Sequence, residues 1–328
     1  MKNNLRALLQ ILPWVFLLAY IGFKEFGSPD TPVIYELQPQ INVNEPAEES
    51  NSTEELSATK PATAAAFTNA QSWTLPNDVN FAGEVVDMGV WDIRERFDRE
   101  LHINTYWHNN TIFMIKRANR WLPAIEPILA KYGVPDDFKY LAIIESDLMN
   151  KVSPAKAVGF WQLLEGTAKE YGLKVTRDVD ERYDPIKATE AACRYLLKAY
   201  EKFGSWTMVA ASYNRGMAGM QRAIEDQKEA DYYRLLLNDE TSRYLFRILA
   251  CKEILSSPSK YGLIIQPEHL YQPHTYKVVT IDDDINDLIS FARSQGIDYK
   301  TLKLYNPWLR NDKLSVRRGE LYEIKIPL

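Results

Sequence analysis

Residues 145–162 of this 328-residue chain read Glu-Ser-Asp-Leu-Met-Asn-Lys-Val-Ser-Pro-Ala-Lys-Ala-Val-Gly-Phe-Trp-Gln. The segment begins near the end of a predicted helix, residues 135–148, and continues into a glycine, two aromatic residues and a glutamine. Proline suits the first turn of that helix, and the aspartates after it suit the positive end of the helix dipole. Phe138 and Leu141 recur at helical spacing, and Glu145 falls on their side. The sequence therefore predicts a carboxylate on the apolar face of a helix.

A carboxylate in that position has altered acid–base chemistry. Desolvation disfavours the ionised form, so we expect the pKa of Glu145 to be raised, and a carboxylic acid still protonated near neutral pH can act as a general acid. The competing interpretation is a solvated glutamate or one paired with a basic side chain, because charged residues are seldom fully buried. The flanking residues favour the catalytic interpretation.

Four blocks in order along the chain carry a resemblance to a known family. They are Glu145-Ser146, then Ser153-Pro154-Ala155 with Gly159-Phe160-Trp161-Gln162 and Thr167, then Ala211-Ser212-Tyr213-Asn214-Arg215-Gly216, and last Glu240-Thr241-Ser242-Arg243-Tyr244. Together they resemble the soluble-lytic-transglycosylase-like family, most closely its membrane-bound lytic murein transglycosylase D branch. The interval between Glu145 and Ser153 is one residue shorter than the family pattern, which bears on the loop shape more than on the acid.

The resemblance implies cleavage of the β-1,4 bond between N-acetylmuramic acid and N-acetylglucosamine in peptidoglycan without water, which leaves a 1,6-anhydro ring. Glu145 would protonate the leaving oxygen and then accept the proton of the attacking 6-hydroxyl. Because this nucleophile is tethered to the substrate, its effective concentration can replace a second enzymic carboxylate. Peptidoglycan glycan strands are the implied partner, and the residues implied to bind them are Ser153, Gln162, Tyr213, Asn214, Glu240 and Tyr244.

Some of these residues have a second interpretation. Gly159 permits a tight turn that lets Gln162 present its amide to sugar groups. Ser153 suits an acetamido group or Glu145, but it equally fits an ordinary turn before proline. Tyr244 continues an apolar stripe with the residues after it, so simple core packing competes with a contact in the site.

A hydrolase of the lysozyme type would need a second carboxylate flanking the bond. Asp147 should face away from Glu145, since two residues rotate a helix position by about 200°. Asp178, Asp180 and Asp184 fit turn and capping positions better. We therefore prefer the single-acid mechanism over three alternatives: a muramidase that uses water, a non-catalytic murein-binding scaffold, and a membrane adaptor that recruits other cell-wall enzymes.

Composition limits the function classes. The net charge of -5 and the absence of a basic aromatic stripe argue against nucleic-acid binding. The 4 His and 2 Cys lack zinc-site spacing, and no phosphate-binding glycine loop occurs, so we expect neither a metal nor a cofactor. Cys193 and Cys251 fall in predicted helices, which favours buried free thiols over a disulfide between them.

The N-terminal residues bear on location. Lys2 and Arg6 precede an apolar run, residues 7–23, that is near the roughly 17-residue lower limit for a spanning helix. Positive charge before the run predicts that residues 1–6 are cytoplasmic and that the catalytic domain is periplasmic, anchored in a bacterial inner membrane. A cleaved signal peptide and secretion to the periplasm are the alternative. Residues 24–78 are rich in Pro, Ser, Thr and Glu and predict a flexible linker.

The patterns predict a mainly α fold, with a lysozyme-like helical catalytic domain over residues 79–265 and a small α/β module over residues 275–328. Predicted helices span residues 110–129, 135–148, 166–171, 186–203, 205–213, 219–225 and 239–256. In the module, strands 275–280 and 322–327 enclose helices 284–295 and 299–305, an order that resembles a LysM module, which binds N-acetylglucosamine chains. Asp282-Asp283-Asp284 replaces the usual Gly-Asp-Thr, so weakened glycan affinity and a purely structural role are both open.

Overall fold

The computed structural model describes residues 71–328. The predicted anchor or signal peptide at residues 7–23, the cytoplasmic residues 1–6 and residues 24–70 of the predicted linker lie outside the described residues. Among residues 71–328, no helix combines the length and the apolar character needed to cross a membrane.

The described chain is mainly helical, which confirms the predicted fold class. A short hairpin comes first, with β1 at Val79–Phe81 and β2 at Glu84–Val86. The helices that follow are α1 (Trp91–Tyr106), α2 (His108–Tyr132), α3 (Lys139–Ser146), α4 (Glu165–Glu170), α5 (Pro185–Phe203), α6 (Trp206–Arg215), α7 (Met217–Gln227) and α8 (Asp239–Ser256). The last elements are β3 (Tyr276–Ile281), α9 (Leu288–Ser294), α10 (Tyr299–Tyr305) and β4 (Tyr322–Pro327).

Helix α3 lies at the centre of the helical region. Its residues from Tyr140 to Ile143 are all buried, and it packs against α2 and α8, while α8 also packs against α1 and α6. The fully buried side chains around it include Phe97, Leu101, Ile125 and Trp161. A helix packed this closely against its neighbours holds its terminal residue in a fixed place, because close-packed interiors leave little room for movement.

The β1–β2 hairpin connects three of these helices through polar contacts. The Glu84 carboxylate accepts hydrogen bonds from the backbone N–H groups of Trp206 (2.6 Å) and Thr207 (2.9 Å) at the start of α6. The Asp137 carboxylate, just before α3, accepts from the Ala82 N–H at 2.7 Å. Lys252 of α8 donates to the same carboxylate at 2.7 Å. The hairpin therefore fixes the starts of α3 and α6 relative to α8.

Several predicted boundaries are confirmed, and one helix is shorter than predicted, by four residues at its start and two at its end. Residues 239–256 and 299–305 are helical over the predicted spans. The helix predicted at residues 135–148 instead starts as a 3-10 turn at Asp136–Phe138, and α3 ends at Ser146. It ends there because Asp147 and Leu148 both have positive φ, +55° and +53°, which no α-helix continues through. Helix α1 and the hairpin were not predicted from the sequence.

The C-terminal module, residues 276–328, has its own core. Strands β3 and β4 pair antiparallel from Tyr276 with Pro327 to Ile281 with Tyr322. The helix predicted from residue 284 starts only at Leu288, with the Asp287 side chain as its cap. The residues before it are extended, because the Asp284 carboxylate accepts from the Val316 N–H at 2.7 Å and Ile285 pairs with Leu314.

The module packs on the segment between α4 and α5, residues 174–184, which we call the docking segment. The Asp180 N–H donates to the Trp308 carbonyl at 2.9 Å, and the Arg310 N–H donates to the Asp178 carbonyl at 2.7 Å. Val179, 2% exposed, belongs to the module's hydrophobic core. The guanidinium of Arg310 stacks 3.9 Å from the centre of the Tyr183 ring.

Both cysteines are buried and free. Cys193 lies in α5 and Cys251 in α8, where its sulfur is 3.8 Å from that of Met114. The structure thus confirms the expectation of free thiols. Burial raises the pKa of each thiol, to about 12 for Cys193, so neither is poised for reaction.

Candidate active site

Glu145 is the second-last residue of α3, and the end of that helix is held from several sides. The buried Ser146 hydroxyl donates to the Phe160 carbonyl at 2.8 Å. Arg247 of α8 donates to the Ile144 carbonyl at 3.1 Å, and Arg117 of α2 donates to the Asp147 carbonyl at 2.5 Å. Helix-end carbonyls lack partners within the helix, so these donors satisfy them and fix where Glu145 points.

Tyr244 lies directly behind Glu145. Its side chain is 1% exposed within the core, and its hydroxyl donates a short hydrogen bond to Oε1 of Glu145. The ring of Tyr244 thus packs in the core while its hydroxyl contacts the acid, and its predicted contact with substrate stays a prediction.

The pKa of the Glu145 carboxyl is raised. Burial is the largest cause, and the negative charge of Glu240 adds to it, while the Tyr244 hydrogen bond and the positive charge of Arg247 act in the opposite direction. Removing water favours the neutral acid, as the sequence pattern predicted. The same burial, reinforced by Glu145, holds the pKa of the Tyr244 hydroxyl well above its usual range, so Tyr244 remains a donor.

Glu145 opens onto a cavity of about 570 Å³. A volume of that size is in the range of ligand sites in proteins. Six of the seven predicted site residues line it, namely Glu145, Ser153, Gln162, Tyr213, Asn214 and Glu240; Tyr244 reaches it through Glu145. Tyr195 and Arg215 also line the cavity and were missed.

One wall of this cavity is a loop at residues 152–163, which we call the cleft loop. Its ends pair through Val152 with Val158 and Val158 with Leu163. Gly159 has φ +82°, and a Cβ on it would lie 2.0 Å from the Arg182 carbonyl oxygen, so glycine is required for the turn. The Gln162 side-chain nitrogen donates to the carbonyls of Lys151 (3.1 Å) and Gly159 (2.8 Å). This leaves its amide oxygen as the group for a ligand.

Ser153 has a structural function within the same loop. Its hydroxyl accepts from the Ala157 N–H at 3.0 Å, and its own N–H donates to the Ala157 carbonyl at 2.9 Å. Among the described residues, no hydrogen bond joins it to Glu145. The turn interpretation holds, although the side chain still lines the cavity.

The opposite wall comes from the end of α6 and the start of α8. The Tyr213 hydroxyl donates to the Trp161 carbonyl at 2.7 Å, and burial holds its pKa well above the usual range. Asn214 donates to Glu240 at 2.9 Å and accepts from the Thr241 hydroxyl at 2.8 Å. The amide thus fixes the Glu240 carboxylate at the edge of the cavity.

The other candidate acids are engaged elsewhere. Asp147 is paired with Lys151 and accepts from Asn110 at 3.3 Å. Asp178 accepts from Asn311 of the C-terminal module at 2.7 Å, and Asp180 is paired with Arg182 at 2.7 Å. Asp184 caps α5, as predicted, accepting from the Ile186 N–H at 2.8 Å. None of the four lines the Glu145 cavity.

Arg247 is a third residue of the site that was not predicted from the sequence. It lies three positions after Tyr244, on the same face of α8, so the helical spacing that placed Tyr244 beside the acid also placed Arg247 there. Within residues 71–328, no group of three or more His, Cys, Asp and Glu side chains has the arrangement of a metal site.

Comparison with known proteins identifies the region that holds this site. Residues 124–236 match the family model described as the transglycosylase SLT domain. The central region is therefore similar to a transglycosylase SLT domain. Residues 277–328 match the model described as the soluble lytic transglycosylase C-terminal LysM-like domain. The SLT match contains Glu145, the cleft loop and α6, and it ends just before Glu240.

Individual relatives agree with this assignment. The chain is 29% identical over 280 residues to the membrane-bound lytic murein transglycosylase D of Escherichia coli (strain K12), which covers 79% of this chain and 60% of that protein. The protein of the same name from Escherichia coli O6:H1 matches equally. A protein of Alteromonas sp. (strain M-1) named for tributyltin chloride resistance is 31% identical over 114 residues, 34% of this chain and 55% of that protein. The predicted resemblance is confirmed, and the chain spans 60% of the length of the first two relatives.

Proposed function

We propose that this protein is a lytic transglycosylase that cleaves the β-1,4 bond between N-acetylmuramic acid and N-acetylglucosamine in peptidoglycan glycan strands. One observation supports this above the others: Glu145, with its pKa raised by burial, faces a cavity of about 570 Å³ and accepts a hydrogen bond from Tyr244. The SLT match and the similarity to murein transglycosylases support the substrate class.

The first step uses Glu145 as a general acid. Tyr244 donates to Oε1, so Oε2 is the oxygen that carries the proton toward the cavity. The proton moves to the glycosidic oxygen as the bond from that oxygen to C1 of N-acetylmuramic acid breaks. The N-acetylglucosamine 4-hydroxyl leaves, and the Glu145 carboxylate then receives support from the Tyr244 hydroxyl and the charge of Arg247.

The second step uses the same carboxylate as a base. The 6-hydroxyl of the muramic acid attacks its own C1, a C1–O6 bond forms, and the hydroxyl proton returns to Glu145. The enzyme regains its starting protonation state, and no water enters the products. A tethered nucleophile gains a large effective concentration, so this route needs no second enzymic carboxylate.

A muramidase that uses water is the second candidate, because one further carboxylate, Glu240, lines the same cavity. Two carboxylates are the usual requirement for glycoside hydrolysis. Glu240, however, is exposed and hydrogen bonded to Asn214, an arrangement that suits substrate binding.

The deciding experiment is a digest of purified sacculi by the wild type, Glu145→Gln and Glu240→Gln, analysed by mass spectrometry. We expect anhydro ends, lighter than reducing ends by one water, from the wild type and from Glu240→Gln. Glu145→Gln should lose turnover by at least about a hundredfold, the lower range for a general acid. Reducing ends that disappear in Glu240→Gln would establish the hydrolase. Normal cleavage by Glu145→Gln would refute the role of Glu145, and no cleavage by the wild type would leave only a binding scaffold.

We also propose the arrangement of the chain in the cell envelope. Residues 79–265 are assigned as the catalytic domain and residues 275–328 as the LysM-like module. The apolar run at residues 7–23 would hold the chain in the inner membrane with the catalytic domain in the periplasm, and a cleaved signal peptide is the alternative. Mass measurement of the mature N-terminus in purified envelopes distinguishes the two.

A further inference from the structure

Arg182 of the docking segment reaches the cleft loop. It is 7% exposed, and its guanidinium pairs with Asp180 through Nε (2.9 Å) and Nη2 (2.7 Å). The remaining nitrogen, Nη1, donates to the carbonyls of Lys156 (3.2 Å) and Leu163 (3.3 Å). These two carbonyls belong to opposite sides of the cleft loop, so a single side chain holds both.

The cleft loop, besides its internal hydrogen bonds, contains residues in unusual backbone conformations. Lys156 and Gln162 both have positive φ, +63° and +46°, conformations that side-chain-bearing residues adopt only when surrounding contacts enforce them. The backbone of Arg182 makes the second contact, because its carbonyl oxygen occupies the place where a Cβ of Gly159 would be. The loop is therefore held from behind at three points along its length.

The same stretch of chain is held in turn by the C-terminal module. Beyond the two backbone hydrogen bonds at Asp178 and Asp180, the Asp178 carboxylate accepts from Asn311 at 2.7 Å and from the Ser315 hydroxyl at 3.1 Å. Val179 between them is buried in the module's core. Asp180 therefore links the two parts, because its backbone N–H bonds to the module and its carboxylate pairs with Arg182.

We propose that Arg182 is a positioning residue for the substrate cleft and that the C-terminal module sets its position through Asp178, Val179 and Asp180. This inference rests on the proposed function, since it concerns how that cleft binds glycan. Arg182 does not line the cavity and has no hydrogen bond to Glu145 or Tyr244 in the described part of the chain. It therefore acts on substrate binding and not on the acid.

The test compares Arg182→Lys with Arg194→Lys in the full chain. Lysine keeps the charge but cannot reproduce the planar fork of donors. Arg194 is the matched control, because its guanidinium also donates to a carbonyl, that of Tyr171 (2.6 and 3.0 Å), and to the Tyr132 hydroxyl, away from the cavity lining. Steady-state cleavage of soluble glycan strands and the melting temperature are measured for each.

We expect Arg182→Lys to raise KM about tenfold, the equivalent of one or two lost hydrogen bonds, with kcat and its pH profile unchanged. Arg194→Lys should have a lower melting temperature than the wild type and the same KM. Equal KM values for the two variants, or a shifted pH profile in Arg182→Lys, would overturn the inference.

Asp178→Ala tests the module's part and decides the matter if Arg182→Lys does not fold. It removes the two side-chain bonds to the module and touches no cavity residue. An increase of KM in the direction seen for Arg182→Lys is expected, and an unchanged KM would refute the link to the module. A wild type that produces no anhydro ends would instead refute the proposed function, so the two failures are distinguishable.

Discussion

Gly159→Ala tests the close approach between the cleft loop and the docking segment. The added Cβ would lie 2.0 Å from the Arg182 carbonyl oxygen and 3.0 Å from its carbon, and both are backbone atoms that cannot rotate away. The backbone at Gly159, with φ +82°, adds a second cost. Left-handed backbone costs an L-residue about 1–2 kcal/mol, and overpacking of a tight site adds about 1–3 kcal/mol.

The expected loss in the free energy of unfolding is therefore about 2–5 kcal/mol. Two other glycines separate the contributions. Gly133 and Gly204 have similar φ values, +72° and +67°, but no atom lies within 4 Å of an added Cβ at either. Gly133→Ala and Gly204→Ala should lose only the backbone part, about 1–2 kcal/mol.

The assay is urea unfolding of all three variants with a common m-value, followed by cleavage assays at a temperature where each is folded. Gly159→Ala should also bind substrate more weakly, since relief of the clash must move the cleft loop away from Arg182. If the three variants have the same midpoint, the close contact between Gly159 and Arg182 is wrong, and so is the argument that it shapes the cleft.

Three further predictions concern the acid and the hairpin. Burial raises the pKa of Glu145, so the folded state keeps a proton that the unfolded state loses, and the free energy of unfolding falls as pH rises above 4.5. The melting temperature of Glu145→Gln should therefore exceed that of the wild type by a margin that widens over that range. A constant margin would contradict this prediction. Tyr244→Phe removes a hydrogen bond that lowers the pKa of Glu145, so the alkaline limb of the pH profile of kcat should move to higher pH. The value of kcat should fall about tenfold. An alkaline limb at the same pH as in the wild type would count against the hydrogen bond. Glu84→Ala removes the acceptor for the Trp206 and Thr207 N–H groups at the start of α6 and should cost about 1–2 kcal/mol in urea unfolding at neutral pH. Burial alone would raise the pKa of Glu84, but hydrogen bonds from Thr207, Trp206 and Ser205 lower it by more, so the net pKa lies below its usual value. The stabilisation by the ionised carboxylate is lost as it is protonated, so the cost of Glu84→Ala should shrink as pH falls. A cost independent of pH would argue against an ionised Glu84.

The fold was predictable where local patterns decide it. Helix α10 follows an aspartate that caps it, and α8 follows Asn238, whose side chain accepts from the Thr241 N–H. Helix α1 was missed although Ile93, Phe97 and Leu101 are buried at intervals of four, because charged residues separate them and dilute the apolar signal. The end of α3 depends on Arg117 and Phe160, which are distant in sequence, so no local pattern could place it.

The same distinction applies to the site. Glu145 and its raised pKa followed from helical spacing, and the motif blocks supplied the lining of the cavity. The sequence does not show which polar atom of a residue can contact a ligand. In Gln162, the side-chain nitrogen is used in hydrogen bonds within the loop, which leaves the amide oxygen. Arg182 contacts the cleft loop through the carbonyls of Lys156 and Leu163 and through its own carbonyl beside Gly159, so its role depends on tertiary geometry alone.

The hairpin formed by β1 and β2 has a mechanical consequence. The chain enters the described structure at residue 71 and passes through the hairpin before any helix, and the hairpin is joined to α6 by Glu84 and, through Ala82 and Asp137, to the start of α3. Tension arriving from the preceding residues would therefore load the contacts of Gln71 with Tyr106 and of Trp73 with His102, and then these polar contacts of the hairpin. If residues 7–23 anchor the chain as proposed, pulling on a bound glycan strand would strain these contacts before the helices that carry Glu145 and Tyr213.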